Sequence, residues 1–143
     1  MNSLHKGNIS EKIFESECYK HIDGMNHQLI PPPKGCDIGA DFYLLNFKTG
    51  KFSKIQVKRF SPQEKRYNPN TLDLRRKRNK GTGNYTGKEF DYLVVHNSSN
   101  DDLIIAHVDQ LKKKDGKMRT SISICPTKKS KGLVNEGFEV LLK

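Results

Sequence analysis

Two short stretches of the sequence carry the side chains that chemistry on a phosphate ester requires. Residues 37–41 read Asp-Ile-Gly-Ala-Asp, and residues 56–58 read Gln-Val-Lys. Because side chains alternate between the two faces of a strand, Gln56 and Lys58 point the same way. If the strands that contain the two stretches pair as a hairpin, Asp41 lies beside them. A carboxylate, an amide oxygen and an ammonium then share one small space.

These groups suit the metal-dependent hydrolysis of a phosphodiester. Carboxylate and carbonyl oxygens are hard ligands that bind Mg²⁺ or Mn²⁺. Such an ion lowers the pKa of a bound water and stabilises charge on the phosphate. Lys58 can orient the attacking water, help to deprotonate it, or neutralise the growing negative charge. Glu11 supplies a further carboxylate if the helix predicted to contain it packs across the sheet.

The elements that must position these groups are a helix and a hairpin. Apolar residues at helical spacing predict a helix over 9–23, with Asn8 as its N-cap and Glu11 completing a capping box. Aromatic and branched residues predict the hairpin strands over 40–47 and 52–60. The whole chain is predicted to be one mixed α/β domain. Its other predicted elements are strands at 27–30, 71–74, 90–96, 103–107 and 120–125, and a basic, Gly-rich loop at 75–86.

The basic residues are concentrated in two tracts. The net charge is +10 over 143 residues; segments 58–80 and 112–131 each carry +7, and the remainder carries −4. Two basic tracts around a mildly acidic body favour a surface for the phosphate backbone of nucleic acid over an ordinary solvated face. In the first tract the predicted nucleic-acid-binding residues are Arg59, Lys65, Arg66, Arg75, Arg76, Lys77, Arg78 and Lys80.

Cysteine usage and hydropathy exclude several classes of protein. The three cysteines are far apart and form no CxxC pair, which argues against a disulfide framework and indicates a reduced, cytoplasmic protein. The five histidines form no HxxxH pair, so a zinc site is not expected. No apolar run approaches the length of a membrane span, and residues 1–7 lack the apolar stretch of a signal peptide.

Glu11 four residues after Gly7, Asp41 after Gly-Ala, and the Gln-Val-Lys of 56–58 resemble the motifs of the PD-(D/E)XK nuclease superfamily. The glutamine two positions before Lys58, where an acidic residue is commoner, is similar to the QxK variant found in small group I intron-associated endonucleases and methyl-directed restriction endonucleases. Segments 91–95 and 103–111 resemble the core strands that follow the lysine. The resemblance covers residues 6–111, about three quarters of the chain.

The resemblance implies a restriction-endonuclease-like core, a central mixed β-sheet flanked by helices. It divides a single 1–143 domain into a nuclease-like core, about 6–111, and a basic C-terminal extension, 112–143. Asp41, Gln56 and Glu11 would be ligands of Mg²⁺ or Mn²⁺, and Lys58 the catalytic lysine. Asp37 would be a substitute ligand or a partner of the ligands. The implied activity is a DNA endonuclease, and cutting two strands implies a homodimer or higher oligomer.

Simpler interpretations of the same residues stay open at this stage. Glu11 can be only a helix cap, Asp37 only a turn residue, and Lys58 only the first member of the basic tract. Gln56 can be a buried hydrogen-bonding residue. Alternative functions are a Holliday-junction resolvase acting on branched DNA, a non-catalytic nucleic-acid-binding module of the same fold, and cleavage of RNA.

Overall fold

The computed structural model of the chain describes residues 3–31, 40–62, 69–78 and 81–143. Asp37, Lys65, Arg66 and Lys80 lie outside these ranges. The helices are α1 (Ser3–His21) and α2 (Glu139–Leu142), and a 3-10 helix spans Val108–Leu111. The strands are β1 (His27–Ile30), β2 (Phe42–Asn46), β3 (Phe52–Phe60), β4 (Thr71–Asp73), β5 (Arg76–Arg78), β6 (Gly81–Gly83), β7 (Tyr92–Asn97), β8 (Leu103–His107) and β9 (Ser121–Ser123).

Five strands form a mixed central sheet in the order β1-β2-β3-β7-β8. All neighbours are antiparallel except β3 and β7, which are parallel. The predicted hairpin is confirmed, since β2 pairs with β3 and sets Phe42 opposite Ile55. The parallel pair sets Lys58 opposite Val95, so the carboxyl ends of β3 and β7 lie side by side.

The alternation of β3 divides the hydrophobic core into two parts. Ile55 and Val57 belong to the part under α1, where they pack with Phe14 and Cys18. Cys18 is fully buried, and this burial, aided by the charge of Glu15, raises the pKa of its thiol to about 12. On the other face the sheet packs against a second layer that includes the β4–β9 ribbon.

Residues after Leu111 complete both parts of the core. Met118, Ile124 and Leu133 are buried against the second face of the sheet. Leu141, from α2, is buried in the part under α1. In the part of the chain that the structure describes, no helix has both the length and the apolar character to cross a bilayer.

Two local predictions are corrected by the structure. The helix begins at Ser3, so Asn8 lies inside it and the predicted capping box is wrong. An exposed asparagine inside a helix costs only a fraction of 1 kcal/mol, about 0.7 at most, which three-dimensional packing outweighs. Within the predicted loop at 75–86, β5 and β6 pair antiparallel. Backbone hydrogen bonds define this short pair, and they leave no side-chain pattern in the sequence.

Candidate active site

The candidate site lies where β2 ends beside the longer β3. The amide of Asp41, just before β2, donates to the carbonyl of Ile55 at 2.8 Å, which is the last contact of this pairing. Two residues further along β3, where β2 offers no carbonyl, the amide of Val57 donates to Asp41 Oδ2 at 2.8 Å. The Asp41 carboxylate therefore takes the place of the strand carbonyl that is missing there, and this fixes its position at the sheet edge.

Gln56 is bound to the same carboxylate, as the predicted hairpin requires. Its Nε2 donates to Asp41 Oδ2 at 2.8 Å and to the Val57 carbonyl at 3.2 Å. With the amino end of the amide held in this way, the Oε1 atom is the end that can face a cation. The predicted juxtaposition of Asp41 and Gln56 is confirmed.

Glu11 reaches this sheet edge from α1. Its side chain is half-buried and hydrogen-bonds the side chain of Asp41. Burial, then the Asp41 charge and this hydrogen bond, raise the pKa of Glu11 to about 7. A shared proton between two carboxylates is the usual response of such a pair when no cation balances their charge. Because Asn8 lies inside the helix, Glu11 has no end-capping role.

The raised pKa of Glu11 predicts that the metal-free protein loses stability as the pH rises. An unfolded glutamate titrates near 4.5, so between pH 4.5 and about 7 the folded state binds more protons than the unfolded state. Stability therefore falls with increasing pH through this window, and Glu11 adds no further change above it. Urea unfolding in EDTA at about pH 5 and about pH 8 measures the slope, which Glu11→Gln should reduce. The control Glu17→Gln, a half-buried position on α1 whose carboxylate pairs with Lys20, should keep the slope of the unaltered protein; an unchanged slope in Glu11→Gln would contradict the assignment.

Lys58 lies on the same face of β3 as Gln56. Its Nζ is 5.5 Å from the centre of the Tyr85 ring, a cation–π distance. Tyr85 is buried and packs edge-on against Phe90, with ring centres 5.1 Å apart. The Arg75 guanidinium chiefly, and the Lys58 charge to a smaller extent, lower the pKa of Asp73. The Lys58 ammonium is therefore held over the Tyr85 ring rather than extended into solvent.

A buried hydrogen-bonded chain fixes α1 on the sheet and was not found from the sequence. His96 of β7 is 1% exposed, and its Nε2 lies 2.7 Å from Asp101 Oδ1. The carboxylate can only accept, so Nε2 donates; in the neutral imidazole Nδ1 then accepts from the Ser10 hydroxyl, 2.7 Å away. Ser10 is also 1% exposed and directly precedes Glu11. These two hydrogen bonds, from Asp101 through His96 to Ser10, therefore position the Glu11 carboxylate.

Replacing Ser10 by alanine is expected to lower the free energy of unfolding by about 1–3 kcal/mol, because the buried Nδ1 of His96 loses its partner. Urea denaturation measures the loss. The control is Ser16→Ala, a less buried serine on α1 for which a much smaller change is expected. Equal losses in the two variants would show that the Ser10–His96 bond does not anchor the helix.

The donor set fits a hard divalent cation. Among the described residues no three His, Cys, Asp or Glu side chains cluster as a metal site. The set is instead two carboxylates, from Glu11 and Asp41, and the amide oxygen of Gln56. Oxygen-only ligands of this kind suit Mg²⁺ or Mn²⁺ rather than zinc. Asp37, the other predicted carboxylate, lies outside the described residues.

Comparison with known proteins identifies the architecture. No protein-family model matches the sequence, and no curated protein sequence matches it. Among solved structures, the chain is similar to the bacterial homing endonuclease I-Ssp6803I with a TM-score of 0.70 and 20% sequence identity. The superposition covers 99% of this chain and 94% of the other. The chain has a homing-endonuclease-like fold. The predicted α/β class, a central mixed sheet flanked by helices, is confirmed.

The predicted nucleic-acid-binding residues are spread over several parts of the homing-endonuclease-like fold. Arg59 is half-buried on β3, and its Nε donates to Ser61 Oγ at 2.7 Å. Arg75 is exposed and forms a two-point pair with Asp73, with its closest contact at 2.8 Å. Arg76, Lys77 and Arg78 form β5, while Lys65, Arg66 and Lys80 lie outside the described residues.

Proposed function

We propose that the protein is a Mg²⁺- or Mn²⁺-dependent DNA endonuclease of the PD-(D/E)XK superfamily, QxK variant. The observation that carries this proposal is the contact between the Glu11 and Asp41 carboxyl groups beside Gln56, whose Nε2 donates to Asp41 Oδ2 at 2.8 Å, at the open edge of β3. Lys58 follows two residues later on the same face of the strand. These are the four residue positions on which the sequence resemblance depends.

The carboxylate pair supports a cation site on electrostatic grounds. Two carboxylates within hydrogen-bond distance do not both ionise at neutral pH unless positive charge balances them. A divalent ion held by Asp41, Glu11 and the Gln56 amide would replace the shared proton. When bound, it would supply Lewis-acid stabilisation of the phosphate and an activated water. The Val57 amide already holds Asp41 in place without the ion.

The place of Lys58 on β3, two residues after Gln56 and on the same face, supports a role at the scissile phosphate. Its ammonium lies over Tyr85 on the face that carries Gln56, so a phosphate bound at this edge meets a fixed positive charge. Such a charge stabilises the pentacovalent transition state, in which negative charge increases on the phosphate oxygens. It can also orient the attacking water. We assign Lys58 these two roles.

Duplex DNA is the substrate that the charge distribution and the fold favour. A net charge of +10 with two basic tracts supports a polyanionic partner. The shared fold with a homing endonuclease supports phosphodiester cleavage over a purely non-catalytic module. The described residues of one chain provide one such site, and two sites are needed to cut the two strands in concert, so we propose a homodimer or higher homo-oligomer.

The deciding experiment is a cleavage assay with supercoiled plasmid, linear duplex and a four-way junction, each with Mg²⁺, Mn²⁺ or EDTA. Metal-dependent cutting that is lost in Asp41→Asn would support the endonuclease. Preference for the four-way junction would instead support a resolvase. Salt-sensitive binding without cutting of any substrate would favour the non-catalytic module and contradict the proposal.

A further inference from the structure

A basic cleft of 560 Å³ lies on the C-terminal part of the chain, beside the β4–β9 ribbon. No acidic and no aromatic side chain lines it. No described acidic group forms an ion pair with its three cations. Its lining includes the cations of Arg119, Lys129 and Lys131 and the hydroxyls of Ser121, Ser123 and Ser130.

The loop that carries the two lysines is shaped by its own hydrogen bonds. The amide of Thr127 donates to the Ser130 carbonyl at 2.8 Å. The amide of Leu133 donates to the carbonyl of Ser123, on β9, at 2.9 Å. Gly132 has φ +73°, and a Cβ there would lie 2.7 Å from the Cys125 carbonyl carbon. Only glycine allows this approach, so the loop stays pressed against β9. A preformed loop loses little conformational entropy when it binds.

The cleft adjoins the candidate active site through β4. Leu72 and Ile122 face the core, so Thr71 and Asp73 lie on the opposite, outward face of the ribbon. Thr71 lines the cleft, whereas Asp73 is close enough to Lys58 for that charge to lower its pKa. Two residues along a strand span about 7 Å. A polyanion that crosses Lys58 therefore reaches the cleft within a few nucleotides.

We propose that this cleft binds the sugar-phosphate backbone of the DNA duplex on one side of the cleaved phosphate. This rests on the proposed endonuclease function and assigns a role to part of segment 112–143. Arginine, lysine and serine are the usual donors to phosphate oxygens, and such contacts set register without reading bases. A binding site for single strands would offer aromatic rings for stacking, and the cleft offers none.

The test measures duplex binding in EDTA over a range of salt concentrations, so that cleavage plays no part. The double variant Lys129→Ala/Lys131→Ala should weaken binding and make the salt dependence shallower. The magnitude of the negative slope of log affinity against log salt should fall by about 2. The matched control is Lys48→Ala/Lys143→Ala, which removes the same charge from exposed positions outside the cleft. The control should leave the slope nearly unchanged.

The outcomes separate this inference from the proposed function. If the cleft variant keeps the slope of the wild type while duplex is still bound and cut, the cleft assignment is wrong and the endonuclease stands. If the unaltered protein binds no duplex, the proposed function fails first. Tighter binding of an RNA duplex, weakened by the same two substitutions, would overturn DNA as the partner of the cleft.

Discussion

Lys58→Ala is expected to lower the rate of DNA cleavage by about 10²- to 10⁴-fold while leaving DNA affinity nearly unchanged. The ammonium lies over the Tyr85 ring on the Gln56 face of β3, where it would meet the reacting phosphate. One charge among many phosphate contacts contributes little to total affinity. Its contribution to the transition state is larger, because the phosphate gains negative charge only as the water attacks.

Single-turnover cleavage and duplex binding, measured side by side, check this expectation. The matched control is Lys54→Ala, which removes an ammonium from the same face of the same strand, four residues before Lys58. The Lys54 ammonium bonds the Lys88 carbonyl instead of lying near Asp73. If Lys58→Ala cleaves at the rate of the wild type, or if the control loses activity equally, the catalytic role of Lys58 is wrong.

Asp41→Asn is expected to abolish cleavage and to remove the stabilisation that Mg²⁺ gives the folded protein. Asparagine has the same shape and can still accept the Val57 amide, so the edge of β3 should stay intact. The lost negative charge removes the proposed central ligand, which lies between Glu11 and Gln56. A ligand that binds only the folded state raises the unfolding temperature, so the shift caused by Mg²⁺ reports the site without any turnover.

Thermal unfolding with Mg²⁺ or EDTA therefore accompanies the cleavage assay for Asp41→Asn. Asp102→Asn, an exposed aspartate in the turn between β7 and β8, is the control and should behave as the unaltered protein does. The same Mg²⁺-dependent shift in Asp41→Asn would place the cation elsewhere. Full cleavage by this variant would remove Asp41 from the mechanism.

The part of the site formed by the β2–β3 hairpin was predictable, because period-two alternation fixes which side chains share a face. This alternation places Gln56 and Lys58 on one face, and the length of the turn brings Asp41 beside Gln56. The position of Glu11 required one assumption, that α1 crosses the sheet. The structure fulfils it through the Ser10–His96 bond, which joins residues 86 positions apart.

Other features depend on three-dimensional contacts that leave no local signal. His96 has an ordinary strand sequence around it; the turn after β7 supplies Asp101 as one partner, and the packing of α1 over β7 supplies Ser10 as the other. The lysines at 128–131 look like an unstructured basic run. Their loop is ordered by the close contact of Gly132 with the Cys125 carbonyl, which involves no residue pattern.

Because the Cys18 thiol is buried under α1, its rate of alkylation reports how often α1 separates from the sheet. Thiolates, not thiols, react with alkylating reagents, so a group with a pKa near 12 in a fully buried position is inert while α1 is seated. Cys125 is exposed and is therefore accessible to such a reagent without any opening of the fold. With Cys125 and Cys36 changed to serine, the labelling rate counts how often the helix that carries Glu11 leaves the sheet. A bound divalent ion should slow that rate, because it would tie Glu11 to Asp41.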